Sequence, residues 1–344
     1  MLYFLPFLFA FLASLCLVPL LRAIFVFEAE KSIAFVNFWS RLGGAAIILG
    51  FLLTFIFNKS LVFDAPKIGL ILAALAIFVF GMLDDYFDFP AWPQLIFQIA
   101  LGLLILFFGF HLDFLSNPFG SGPLRLDGWQ FQIFGQAFNF WGSLLIIAWV
   151  VLMINAFNWL DGVDGLAGGV GGISFLVLFL LSVSSLVNQP PLGIISLIMA
   201  GATLGFLALN FPWRGKSSLM MGTSGSISLG FMLAALSILS GAKIMTIFLV
   251  LSLPILDALW VIWSRFKEGK SIFKKDRRHL HFKLLKIGFS AKAILVFYYL
   301  LAAILGSLAL LTQTSGKIFA LVAVLILVFF IMHSIGQGEK KVKH

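Results

Sequence analysis

Eleven apolar runs, near residues 2–21, 43–57, 68–83, 93–110, 141–157, 166–187, 192–209, 226–242, 244–264, 291–312 and 317–335, follow one another along the chain. A run of roughly 17–25 apolar residues crosses the hydrocarbon of a bilayer as a helix, because in lipid every backbone N–H and C=O must be satisfied within the segment. Some of these runs are slightly short, but the succession predicts one fold class: an all-α, polytopic membrane helical bundle of about eleven transmembrane helices. With 61% hydrophobic and only 11% charged residues, a water-soluble core is excluded. Residues 1–344 read as one integral membrane domain, with a single sizeable hydrophilic loop at about 265–290. The first run has no basic residue before it and no small-x-small cleavage site after it, so it reads as a retained anchor. Cys16 is the only cysteine, which excludes an internal disulfide and a cysteine-based zinc site.

Charge orients the bundle. Of the 23 basic residues, only Lys59, Lys67, Arg125, Lys243 and Lys317 fall on the connections after the even-numbered runs. The rest, from Arg22, Lys31 and Arg41 to Lys340, Lys341 and Lys343, fall on the other set, which the positive-inside rule assigns to the cytoplasm. The N-terminus is therefore expected outside and the C-terminus inside.

Polar residues are scarce enough that a cluster stands out. Residues 155 to 168 read Asn-Ala-Phe-Asn-Trp-Leu-Asp-Gly-Val-Asp-Gly-Leu-Ala-Gly, set between two spans on the expected cytoplasmic side. Asn155, Asn158, Asp161 and Asp164 recur every three residues, which brings them near one face of a helix-to-turn junction, and Gly162 and Gly165 let a ligand approach the backbone. Carboxylates at a membrane boundary are costly and mark function, although such groups also serve as polar glue between helices. On the same side, Asp84-Asp85-Tyr86-Phe87-Asp88 holds three carboxylates without an adjacent base. Like charges so close raise one another's pKa unless a cation intervenes, so a divalent ion is an economical occupant, with a solvated helix end as the plain alternative.

Asn210 precedes Phe211-Pro212-Trp213-Arg214-Gly215-Lys216, and Met221-Gly222-Thr223-Ser224-Gly225-Ser226 opens the next run. Glycines and hydroxyls at the mouth of a helix offer N–H groups to phosphate, or simply cap it. The loop ends in Asp276-Arg277-Arg278-His279-Leu280-His281. Its lysines suit anionic lipid headgroups, whereas paired arginines and two imidazoles suit a diphosphate or proton transfer. Gly168, Gly169, Gly171 and Gly172 read as a helix-packing surface, and Leu124 to Gly128, after the turn-forming residues 117–123, as part of a short hairpin.

In their order along the chain, Arg41-Leu42-Gly43-Gly44, the Asp84 to Asp88 cluster, the Asn155 to Gly168 cassette, Met221 to Gly230, Pro254-Ile255-Leu256-Asp257 and His279-Leu280-His281 resemble the polyprenyl-phosphate N-acetylhexosamine-1-phosphate transferase family, which includes the peptidoglycan enzyme that makes lipid I. The basic loop looks more like the branch that initiates O-antigen, enterobacterial common antigen or teichoic acid synthesis. The resemblance implies transfer of HexNAc-1-phosphate, GlcNAc-1-phosphate above all, from a UDP-sugar to undecaprenyl phosphate with release of UMP at the cytoplasmic face of a bacterial plasma membrane. It implies Mg2+, with Mn2+ as a substitute, at Asp84, Asp85 and Asp161 with Thr223 as a weak ligand. Asp84, Asp85 and Asp161 would be catalytic, and Asn155, Asn158, Asp164, Asn210, Arg278, His279 and His281 would bind substrate. UDP-sugar, undecaprenyl phosphate, membrane lipids and a homodimeric partner are the expected associates, and no nucleic acid.

Three departures bear on activity, one of them a segment before Arg41 that lacks the family's usual His and Pro residues, together with Phe282 where many relatives carry another histidine. Thr223 stands where relatives carry a magnesium-binding aspartate, and Gln94 where they carry a lysine. They open a second reading, a catalytically impaired member that holds a lipid phosphate or acts as a scaffold. An ion-coupled transporter is a third reading, and it would place carboxylates near the membrane midplane.

Overall fold

The computed structural model describes residues 2–28, 41–115, 117, 122–185, 187–213, 220–239, 244–270 and 278–341. Within them the apolar runs form α1 (Phe4–Glu28), α2 (Gly43–Phe57), α3 (Ala65–Phe87), α4 (Ala91–Phe107), α5 (Phe140–Leu160), α6 (Leu166–Val183), α7 (Pro190–Asn210), α8 (Gly222–Leu239), α9 (Ile244–Val250), α10 (Ser252–Lys267), α12 (Ala291–Leu311) and α13 (Thr314–Lys341), with the short amphipathic α11 (Leu280–Lys286) before α12. Among the described residues, eight helices are long and apolar enough to span a bilayer, and α9 with α10 makes a ninth if they count as one. The helices α2 and α4 are apolar but shorter, at 15 and 17 residues. The protein is thus a multi-pass, all-α membrane protein.

The run at 244–264, expected as one continuous span, is broken: α9 and α10 meet at 80°. Pro254 explains the break. It has no N–H to donate, and its ring clashes with the carbonyl four residues earlier, which belongs to Val250, the last residue of α9.

Helix α8 is the pillar of the bundle, packed against α2, α3, α5 and α6. Every residue from Ser224 to Ile238 is buried. Its small residues make this approach close. A Cβ on Gly230 would lie 2.4 Å from the Met153 carbonyl of α5, and one on Gly81 of α3 would lie 2.4 Å from Ser224 Cα. The Ser228 hydroxyl donates back to the Ser224 carbonyl at 2.6 Å, which satisfies that donor in the apolar interior. The glycine run of α6 packs helices as its sequence predicts. The Tyr299 ring of α12 fills the space beside Gly169, and Leu204 of α7 the space beside Gly172. The outer helices present Phe319, Leu325, Phe329 and Phe330 from α13 to the surroundings.

Between α4 and α5 lie two small antiparallel pairs. The first, β1 (Phe114–Leu115) with β2 (Leu124–Arg125), matches the expected hairpin, whose residues 116 and 118–121 lie outside the described set. The second, β3 (Gln130–Ile133) with β4 (Gln136–Asn139), turns through Phe134 and Gly135 at φ of 52° and 78°. Two positive φ values in a two-residue loop match the right-handed twist of the strands.

Candidate active site

At the end of the bundle opposite these hairpins, the C-termini of α3, α5 and α7 meet the N-terminus of α8 and the segment leading into α11. Helix α3 ends there because Asp88 adopts the left-handed conformation, φ 50°, which aspartate tolerates better than most side chains. This turn delivers Asp84 and Asp85, both buried. Asp84 Oδ1 accepts the Phe89 N–H at 3.1 Å and the Gln94 side-chain N–H at 2.9 Å, and Gln94 is itself steadied by the Phe89 carbonyl at 3.1 Å. Asp85 reaches across to α8, accepting the N–H of Thr223 at 2.9 Å and of Ser224 at 3.1 Å. A carboxylate supplied by another helix thus caps α8, where the helix dipole favours negative charge. Arg41 Nη1 stands 4.0 Å from the same carboxylate.

The α8 entrance allows no bulk. Gly222 has φ +73°, and a Cβ there would lie 2.1 Å from the Arg41 carbonyl and 2.8 Å from Asp85 Oδ2. The N–H groups of Gly43 and Gly44 donate to the Met220 and Met221 carbonyls at 3.0 and 2.8 Å, tying α2 to this entrance.

The cassette leaves α5 in a tight turn. Gly165, φ +85°, is held at both backbone groups: its N–H donates to Asn210 Oδ1 at 2.8 Å, and its carbonyl accepts the Tyr299 hydroxyl at 2.5 Å. Asn158 Oδ1 accepts the Ser226 hydroxyl at 3.4 Å. Asp161, at the C-cap of α5, is pushed well above the usual carboxylate range by burial, with the charges of Asp164 and Asp85 acting in the same direction. These three carboxylates therefore share one electrostatic environment.

Beside them lies the histidine segment. His279 Nδ1 is 2.9 Å from Asp257 Oδ2, and the Leu280 N–H donates to Asp257 Oδ1 at 2.9 Å. The His279 ring stacks on Trp159 of the cassette, centroids 5.6 Å apart, and on His281 at 5.9 Å. His281 is 1% exposed, neither ring nitrogen has a hydrogen-bond partner among the described residues, and its Nε2 occupies the space beside Gly162. Burial, then the neighbouring His279, lowers its pKa to about 3.

The expected residues thus separate into groups. Asp85, Asp161, Asp164, Thr223 and Asn158 surround the α8 entrance, with Asp84 on the adjoining turn. His279 and His281 join through Trp159 and Gly162. Asn210 serves the cassette backbone, and Asn155 donates to Gln98 at 2.6 Å and to the Val151 carbonyl at 2.8 Å, further back along α5. Arg278 pairs with exposed Glu268 at 2.8 Å. Lys270, then Arg278, holds the Glu268 carboxyl down to about 2. Asp276 and Arg277 of the basic loop, and Arg214 to Lys216 before α8, lie outside the described residues.

Sequence reasoning did not find the clamp roles of Gln98, Ser226 and Tyr299, which no local signal marks. Asp257 stands in the Pro254-Ile255-Leu256-Asp257 stretch, but nothing in its spacing marks it as a partner of His279.

Among the described residues, no three His, Cys, Asp or Glu side chains converge closely enough to chelate a metal by themselves. The donors at the α8 entrance are nonetheless hard oxygens, and their mutual repulsion is of the kind that a divalent cation relieves. Magnesium in particular is commonly held by one or two carboxylates together with substrate phosphates, which this donor set fits.

Three relatives span most of the chain. It is 27% identical over 296 residues to a probable undecaprenyl-phosphate N-acetylglucosaminyl 1-phosphate transferase of Bacillus subtilis, covering 84% of this chain and 78% of the relative. It is 31% identical over 291 residues to a decaprenyl-phosphate N-acetylglucosaminephosphotransferase of Mycobacterium tuberculosis, covering 76% and 69%. It is 28% identical over 300 residues to the undecaprenyl-phosphate alpha-N-acetylglucosaminyl 1-phosphate transferase of Escherichia coli K12, covering 84% and 77%. Residues 67–241, which carry the Asp84-Asp85 turn, the cassette and the α8 entrance, match the profile of glycosyl transferase family 4, and to that family this chain belongs.

Proposed function

We propose that the protein transfers GlcNAc-1-phosphate, or a closely related HexNAc-1-phosphate, from a UDP-sugar to undecaprenyl phosphate. The observation that carries this reading is that Asp85 caps the α8 N-terminus and that its charge and that of Asp164 both act on Asp161 at one end of a membrane bundle. Membrane-borne and soluble phosphates can meet there. The names of the relatives support the reading, and the distribution of basic residues supports a cytoplasmic location for this end in a bacterial plasma membrane, with the N-terminus outside and the C-terminus inside.

An oxygen of the lipid phosphate attacks the β-phosphorus of the UDP-sugar. The bond from that phosphorus to the bridging oxygen breaks, UMP leaves with the electron pair, and a lipid-diphosphate sugar remains. Such a displacement is limited by bringing two anions together and stabilising charge, so the protein acts mainly by positioning. Asp84, Asp85, Asp161 and Thr223 would hold Mg2+, or Mn2+ in its place, which when bound supplies charge neutralisation for the diphosphate and the leaving UMP. Asp84, on a turn clamped by Gln94, is set to take a proton from the lipid phosphate. Asp164 and Asn158 order the nucleotide and diphosphate, and His279, His281 and Arg278 meet the sugar or its phosphates.

One observation favours a second reading. Thr223 adds no charge at the α8 entrance, and Gln94 clamps Asp84 as a neutral amide, so the site is suited to hold a lipid phosphate without turning it over. Mass spectrometry of lipid extracts after incubating purified protein with undecaprenyl phosphate and each of several UDP-HexNAc donors separates the readings. A lipid-diphosphate HexNAc supports transfer. Retention of unmodified lipid phosphate with every donor supports the second reading.

A further inference from the structure

We propose that Asp257 is a positioning residue for the transfer reaction: it fixes His279 as the Nδ1–H tautomer and so determines which ring nitrogen is offered to the substrate. The inference rests on the reading of this end of the bundle as a transferase site, and the histidine geometry argues for it independently. Asp257 and His279 are separated by 22 positions in sequence, and residues 271–277 between them lie outside the described set. Both carboxylate oxygens are committed in the same sense, Oδ1 to the Leu280 N–H and Oδ2 to His279 Nδ1. A backbone N–H can only donate, so Oδ1 must accept. Ionised, the carboxylate has no proton to give at Oδ2 either, so Nδ1 must carry one. A ring with Nδ1–H is left with Nε2 as an acceptor when neutral, and as a second donor when protonated beside the buried carboxylate.

The surroundings hold the ring in this pose. Trp159 stacks on it from the cassette, and His281 lies parallel to it, with only 4° between the planes. Asp257 and His279 are 4% and 5% exposed, which leaves little room for the imidazole to rotate away. The bend between α9 and α10 gives the arrangement a structural cause. Pro254 redirects the chain, and Asp257, one turn later, follows the new direction to the start of α11. No other described charged group bonds to this carboxylate, although Tyr298 of α12 senses its charge.

Asp257→Asn isolates the claim because it changes little but hydrogen-bonding capacity. An amide has one acceptor oxygen. If that oxygen keeps the Leu280 N–H, the NH2 group faces His279 Nδ1 and drives the ring to the Nε2–H tautomer. The chain holds five histidines. The full-length protein, 15N-labelled at histidine and reconstituted in vesicles of phosphatidylglycerol and phosphatidylethanolamine, reports the tautomer by solid-state NMR, with the His279 signal assigned from its loss in His279→Gln. The expected result is Nδ1–H in the wild type and Nε2–H in Asp257→Asn. The expected kinetic counterpart is a fall in kcat of about 100-fold or more, of the kind a wrong tautomer causes, with KM changed less than about threefold. Nε2–H in the wild type overturns the proposal, as does Nδ1–H retained in the variant. A lower Tm with kcat intact would make Asp257 merely structural and overturns it too. The NMR result needs no turnover, so failure of the transferase reading and failure of this one are distinguishable.

Discussion

The carboxylate site and the hairpin turns use glycine in opposite ways. At the carboxylate end, the Cβ positions of Gly43, Gly44, Gly81, Gly162 and Gly222 are occupied within 2.1 to 2.4 Å by atoms of other elements. In the hairpin turns, Gly122, Gly128 and Gly135 have nothing within 4 Å. The same residue permits near-contact between backbones in one place and chain reversal in open space in the other. Among the described residues the hairpins carry no buried charge, whereas the carboxylate end buries Asp84, Asp85, Asp257 and two histidines. Buried charge is stable only in fixed geometry, and glycine-tight packing supplies that geometry.

The strongest way to break this contrast is Gly222→Ala. The substitution combines a left-handed backbone, a strain of about 1–3 kcal/mol for a side chain, with a clash against the Arg41 carbonyl. Turnover should fall at least about tenfold and Tm should drop, as read by activity assay and by thermal unfolding in detergent; an unchanged Tm would mean that the α8 entrance is looser than its contacts indicate. Asp85→Asn should be next, because an amide oxygen must do the work of two carboxylate oxygens at Thr223 and Ser224. Leaving one N–H unsatisfied costs about 1–3 kcal/mol, visible as faster hydrogen exchange in the first turn of α8.

A smaller effect should come from pH. His281 is buried and neutral, its pKa lowered from 6.5 to about 3, so the unfolded chain binds a proton that the folded one refuses. The stability this group contributes is complete above pH 6.5 and is lost as pH falls toward about 3. Thermal scans between pH 7 and 4.5 should show a steeper loss of Tm in the wild type than in His281→Leu, and parallel curves would refute the buried neutral state. Least affected should be Gly128→Ala at the hairpin end, with stability within about 0.5 kcal/mol and turnover unchanged.

Much of this was legible in the sequence, and the reasons are physical. Hydropathy marked the apolar helices because a lipid-facing segment must be apolar along its whole length, and the polar cassette stood out for the same reason. Turn chemistry announced the strand pair around residues 117–123. Hydropathy could not show the break at Leu251, since both halves of the run are apolar and only Pro254 hints at it. Nor could spacing reveal that Asp257 holds His279, that His281 fills the space at Gly162, or that Gln94 clamps Asp84. Those contacts are set by helix ends meeting in space. The second hairpin was missed because Phe134-Gly135 puts phenylalanine, rather than Asn, Asp or Gly, in the first of the two left-handed positions.

The most direct test of the central claim is UMP release coupled to lipid-linked sugar, measured with purified protein, undecaprenyl phosphate, UDP-GlcNAc and Mg2+, with Asp161→Asn and Thr223→Asp assayed alongside. The expected result is equal amounts of UMP and lipid-diphosphate GlcNAc from the wild type, loss of both with a chelator, and a fall of at least about 100-fold in Asp161→Asn. Absence of UMP from both the wild type and Thr223→Asp, across UDP-GlcNAc and the other UDP-HexNAc donors, would contradict it.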